Sequence, residues 1–153
     1  MKKSQRGFTL LLAALVGSLV LALGISIVTI VQKSVTLSSI GRESQFAFYA
    51  ADSGAECALY WDIRHTLFST TTTPTEITCN GQTVDITVES GLGGNGSVVF
   101  PFQFEMEGRC VQVEVTKQDV DPHITIHADG FSASCDDIAS NLRSLQRSVE
   151  LTY

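Results

Sequence analysis

The sequence predicts an α+β fold, one long N-terminal helix packed on a small antiparallel β-sheet. Three observations predict it. An uncharged apolar run extends from Phe8 to Val31. No proline interrupts the chain between that run and Tyr60, so the helix has no reason to stop at the end of the span. In the later half, apolar and polar residues alternate in short runs separated by turn residues, the period of half-buried strands.

The apolar run comes first. At a rise of about 1.5 Å per residue it reaches about 36 Å, enough to cross a hydrocarbon core about 30 Å thick. Lys2, Lys3 and Arg6 precede it and Lys33 is the first charge after it. By the positive-inside tendency the short basic end stays in the cytoplasm. The expected product is a single-pass cytoplasmic membrane protein with its C-terminal domain exported. Ala22-Leu23-Gly24 offers small residues to an ordinary signal peptidase. Cleavage there would leave the apolar stretch from Gly24 to Val31 at the head of a soluble product, which disfavours it.

Basic residues running into Gly7-Phe8, with the apolar segment starting at once, resemble the class III leader of type IV prepilins. The resemblance implies that a prepilin peptidase cuts after Gly7 on the cytoplasmic side and that Phe8 becomes the N-methylated first residue. The span then stays on as the spine of a filament subunit, in the lipid bilayer before assembly and among other pilin-like subunits afterwards. Major pilins carry a glutamate four residues after that phenylalanine, thought to pair with a neighbour's amine; here the position is Leu12. Phe8 and Leu12 are thus the expected filament-docking residues. The leucine implies either a low-copy place at or near the tip or an assembly that packs through apolar contacts alone at that depth.

From residue 32 to 61 the helix is expected to continue as an amphipathic half. Val35, Ile40, Phe48, Ala51, Ala55 and Leu59 mark one face, and Arg42, Glu43, Gln45, Asp52 and Glu56 the other. The stretch from Phe48 to Trp61 is dense in small residues, which would let a sheet approach the backbone. It resembles the helix end of minor pilins that lack the usual glutamate. Gly17, Gly24 and Gly41 each weaken the helix by roughly 1 kcal/mol relative to alanine and mark places where it could bend.

Cys57, Cys79, Cys110 and Cys135 stand at intervals of 22, 31 and 25, with no C-x-x-C pair of the kind zinc ribbons use. In an exported small domain they read as disulfides. Three connectivities are open, and the one favoured joins Cys57 to Cys79 and Cys110 to Cys135.

Leu67 to Glu76 is expected to be a polar surface loop. Asn80-Gly81 between strand-like runs calls for a type I′ hairpin, with Val84, Ile86 and Val88 facing the core. Gly91 to Gly96 superficially meets a G-x-G-x-x-G pattern, but a strand beginning at Val98 follows where a phosphate site needs a helix. Phe100, Phe102, Phe104 and Met106, then Val111, Val113 and Val115, then Ile124, Ile126 and Ala128 predict a meander with one wet face. Pro101 suggests a sheet edge or a strand start. Asp136 to Leu145 reads as a looser segment with room for a short helix. Val149, Leu151 and Tyr153 predict a C-terminal strand.

Composition narrows the chemistry. The chain has 10 Lys+Arg against 16 Asp+Glu; without Lys2, Lys3 and Arg6 the balance is 7 against 16. So acidic a domain is a poor match for a phosphate backbone, and nucleic acid is disfavoured as a partner. His123 and His127, about 13 Å apart on a strand, cannot share an ion. Asp119, Asp121, Asp136 and Asp137 lack calcium-loop spacing. No nucleophile, base and acid stand in motif context, so neither an enzyme nor a cofactor is expected.

The expected organisation is a leader over 1–7, a transmembrane helix half over 8–31, an amphipathic half over 32–61 and a β-sheet head over 62–153. The expected work is assembly: a minor pilin or pseudopilin of a type IV pilus-like or type II secretion-like filament. The rival expectation is a signal-anchored periplasmic or surface domain that binds a ligand or adhesion target without polymerising.

Overall fold

The structure, a computed structural model, describes residues 6–69, 74–90, 96–119, 121 and 123–153. It is α+β, one long helix followed by antiparallel strands. Helix α1 spans Arg6–His65. The strands are β1 (Glu76–Cys79), β2 (Gln82–Asp85), β3 (Glu89–Ser90), β4 (Val98–Met106), β5 (Arg109–Lys117), β6 (Ile124–Phe131) and β7 (Gln146–Thr152). By contacts the chain falls into two units, Met1–Gly41 and Arg42–Tyr153.

In the first unit α1 runs without a break through Gly17, Gly24 and Gly41, and all three face open space. Every residue from Phe8 to Gly41 is exposed.

In the second unit, β1 and β2 form a two-stranded hairpin, and the other five strands form a sheet in the order β3-β4-β5-β6-β7. The hairpin turn at Asn80-Gly81 has φ of 50° and 73°, the left-handed pair that a type I′ turn requires. A second turn of that kind, Glu107-Gly108 at 51° and 73°, joins β4 to β5. Phe100 pairs with Val115, Phe102 with Val113 and Phe104 with Val111. Val113 in turn pairs with Ala128 and Val115 with Ile126. All of these face the core, and burying one Val or Phe contributes about 1.5–3 kcal/mol.

The helix side of this core is built from small residues. Ala47, Ala50, Ala51, Gly54, Ala55 and Ala58 are buried, at the three- and four-residue spacing of one helical face. The expected face is corrected here: Phe48, Val35 and Ile40 are exposed, and of the marked residues only Ala51 and Ala55 are fully buried. The close approach explains the choice. A Cβ on Gly130 of β6 would collide with the Ala47 carbonyl oxygen and the Ala51 nitrogen, so strand backbone touches helix backbone. A Cβ on Gly54 would lie 2.5 Å from Val111 Cγ1 and 2.9 Å from Val113 Cγ2. A phenylalanine on this face would hold the layers apart.

Four further expectations are corrected. The segment from Leu67 is not wholly a surface loop: Phe68 is fully buried, stacked on Phe102 with ring centroids 6.4 Å apart, and Pro74 is buried too. The strand begun at Gln82 ends at Asp85. Ile86 N–H donates to the Thr75 carbonyl and Thr87 N–H to the Pro101 carbonyl, so the chain crosses there from the hairpin to the larger sheet. Pro101 is the fourth residue of β4, so the strand-start alternative fails and the edge alternative holds, because β3 pairs with Val98 and Val99 alone. Residues 135–140 form turns, not a helix. The G-x-G-x-x-G stretch lies, except for Gly96, outside the described residues.

Candidate functional site

Of the residues that sequence reasoning assigned to processing and docking, Gly7 lies in the first turn of α1, while Phe8 and Leu12 expose 72% and 53% of their surface. The leader residues 1–5 lie outside the described residues. The helix that follows is long and apolar enough to cross a membrane. Three of its hydroxyl side chains bond back to the helix itself. Ser18 donates to the Leu15 carbonyl at 2.8 Å, Ser26 to Ala22 at 3.0 Å and Thr29 to Ile25 at 2.9 Å. Such back-bonding lets a hydroxyl sit in hydrocarbon without an orphaned donor. No acidic residue precedes Glu43 in the sequence, so the helix offers its own N-terminus no carboxylate.

The second unit supports its end of α1 covalently and by charge. Disulfides join Cys57 to Cys79 and Cys110 to Cys135, the favoured pairs. The first ties α1 to β1, where the Trp61 indole also donates to the Thr78 carbonyl at 3.1 Å. The second closes the segment after β6 onto the start of β5, beside the Cys110 N–H bond to the Ala133 carbonyl at 2.7 Å.

A polar cluster around one buried acid in the last turn of α1 was missed by sequence reasoning. Asp62 is 5% exposed; its Oδ1 stands 2.7 Å from Lys117 Nζ, and the Tyr153 hydroxyl donates to its Oδ2 at 2.9 Å. Burial, followed by the hydrogen bond and charge of Asp62, raises the Tyr153 phenol well above the ordinary tyrosine range. An acid on the small-residue face of the helix, at the i+4 position from Ala58, was the available signal.

On the opposite face of the sheet, His127 lies between Asp129 at 3.4 Å and Glu150 at 3.3 Å. Arg109 lies over the Phe46 ring at 4.1 Å. Among the described residues, no three His, Cys, Asp or Glu side chains are placed to hold a metal ion together. What the arrangement offers is surface: an exposed apolar helix and a cross-linked domain.

Compared with known proteins, the chain matches no family model, no curated protein and no solved structure.

Proposed function

We propose that this chain is a structural subunit, of the minor-pilin or pseudopilin kind, in a type IV pilus-like or type II secretion-like filament. The observation that carries the reading is the single uninterrupted helix, Arg6–His65. It serves one end as an exposed apolar rod and the other as a small-residue face packed on an antiparallel sheet. A rod with that much exposed apolar surface needs lipid or other apolar helices around it. Held first in the bilayer and then among neighbouring helices, it never meets water. Gly7 and Phe8 are the processing site, and prepilin peptidase is the enzyme that acts there.

Intact mass of the chain extracted from membranes tests this. The expected mature species begins at N-methyl-Phe8. A chain that retains Lys2 and Lys3 would instead make the protein a signal-anchored domain and end the filament reading.

A further inference from the structure

The strands part where their register would let them stay paired. Residues flanking a two-residue turn exchange both backbone bonds, so every second residue back from the turn points at the same neighbour. The Glu107-Gly108 turn therefore aims the backbone of Met106, Phe104 and Phe102 at β5, and that of Glu105, Gln103 and Pro101 away from it. The Asn80-Gly81 turn likewise aims Thr83 and Asp85 away from β1. On the side of β4 away from β5, the Pro101 carbonyl accepts the Thr87 N–H, and Glu89 stands opposite Val99. Continued two residues at a time, that register puts Asp85 opposite Gln103 and Thr83 opposite Glu105. Neither pair forms, because β2 belongs with β1 to a separate sheet. Among the described residues, no backbone bond meets Gln103 or Glu105 on that side. The other edge of the hairpin is covered, since the Thr78 carbonyl of β1 accepts the Trp61 indole N–H.

A groove of about 640 Å³ lies over the split, between β2 and the outer side of β4 and β5. Thr83 and Gln103 line it from the two sides. Asp85, Glu89 and Glu114 give it three carboxylates, and no Lys, Arg or His lines it. None of the three carboxylates is in an ion pair among the described residues.

We propose that the open edge of β4 takes an extended segment of another polypeptide, its backbone pairing with Gln103 and Glu105 and its lysine or arginine side chains lying against the groove's carboxylates. An unpaired strand edge recognises an extended chain through the backbone bonds it lacks. The carboxylates then favour a basic segment over an acidic one. Every described strand of this chain already has its place in a sheet, and the groove supplies no cation of its own, so the segment comes from a partner. One segment closes the edge, so each head takes one partner. The contact holds whether or not the N-terminal helix enters a filament.

The test uses the full chain in a neutral detergent and a short synthetic peptide of alternating lysine and threonine. The same peptide with glutamate in place of lysine is the control. The lysine peptide is expected to bind and to slow amide exchange at Gln103 and Glu105, and the glutamate peptide is not. Gln103→Pro removes one donor from the open edge, at the parity that Pro101 already occupies, and leaves the bonds to β5 in place; it should weaken binding about tenfold. Asp85→Asn together with Glu114→Gln keeps the shape, removes two charges and should also weaken binding. Binding that leaves exchange at Gln103 and Glu105 unchanged is loose charge attraction and overturns the strand pairing. Equal binding of the glutamate peptide overturns the preference for a basic segment. No binding of the lysine peptide overturns the proposal entirely.

Discussion

The Tyr153 hydroxyl donates to the buried Asp62 carboxylate at 2.9 Å, bonding the end of β7 to the last turn of the long helix. Lys117, at the end of β5, completes the cluster from the other side. A carboxylate so buried depends on both partners, because removing one leaves a charge without solvent or counter-charge. Lys117→Met is therefore expected to destabilise the folded head by about 3 kcal/mol. Tyr153→Phe should cost less, about 1.5 kcal/mol for a hydrogen bond to a charged group. Urea unfolding followed by tryptophan fluorescence of Trp61, one residue from Asp62, measures both. Equal midpoints for wild type and Lys117→Met would show that the pair contributes nothing.

The same bond sets an alkaline limit. Because the folded state holds the Tyr153 proton above the ordinary tyrosine range, the folded chain binds more protons than the unfolded chain once pH exceeds about 10, where an unperturbed tyrosine titrates. Stability then falls with rising pH, so the contribution is present below that value and lost above it. Tyr153→Phe should flatten this part of the pH–stability profile while leaving the neutral-pH slope unchanged. An unaltered alkaline slope would assign it to other groups.

Gly130 and Gly54 make a graded pair. At Gly130 an added methyl meets helix backbone, which cannot step aside; at Gly54 it meets two valine methyl groups, which can turn. Gly54→Ala is expected to cost about 1–2 kcal/mol, within the usual overpacking range, and Gly130→Ala to cost more than about 3 kcal/mol. The order is the prediction. If thermal midpoints put Gly54→Ala below Gly130→Ala, helix and sheet do not meet where these glycines indicate.

These sites also show what the sequence makes legible. Helix, hairpin and meander follow from local signals: proline absence, Asn-Gly and alternation; the disulfide partners were one favoured choice among three, which the structure has. The stacking of Phe68 on Phe102, the backbone contact at Gly130 and the Asp62 cluster join residues between 34 and 91 positions apart in the chain. No local pattern records such distances. The chosen helical face failed for a related reason. Large apolar residues such as Phe48 score highest in a periodicity argument, whereas a close helix–sheet contact selects alanine and glycine. The docking role proposed for Phe8 and Leu12 rests only on resemblance to a leader, since their physical features are exposure and lack of charge.

Each disulfide closes a loop of similar length, with partners 22 and 25 residues apart. On the chain-entropy account each contributes about 3 kcal/mol. Replacing Cys57 and Cys79 together by alanine, or Cys110 and Cys135 together, should lower the urea midpoint by comparable amounts. The second pair should also free the β6–β7 segment. Hydrogen exchange of residues 134–144 would report that loosening, and unchanged protection would mean the loop's own hydrogen bonds suffice to hold it.

Leu12 bears on how many copies of the chain stand together. On the proposed filament reading Phe8 is the first residue of the mature chain, and its amine would lie at a helix end where the macrodipole already disfavours a cation. The chain supplies no carboxylate before Glu43, so another copy brings none to the level of that amine. A buried charge left unpaired costs several kcal/mol, and the cost recurs with each copy added. Runs of adjacent copies should therefore be short, and the chain should be a minor component of purified filaments. Leu12→Glu supplies the missing acid one turn into the helix, where a neighbour's amine can reach it. The substitution is expected to raise the chain's share of the filament, read by quantitative mass spectrometry of sheared and purified fibres. If the unsubstituted chain is already the bulk component and Leu12→Glu leaves its share unchanged, the helices pack without the ion pair and the low-copy expectation fails.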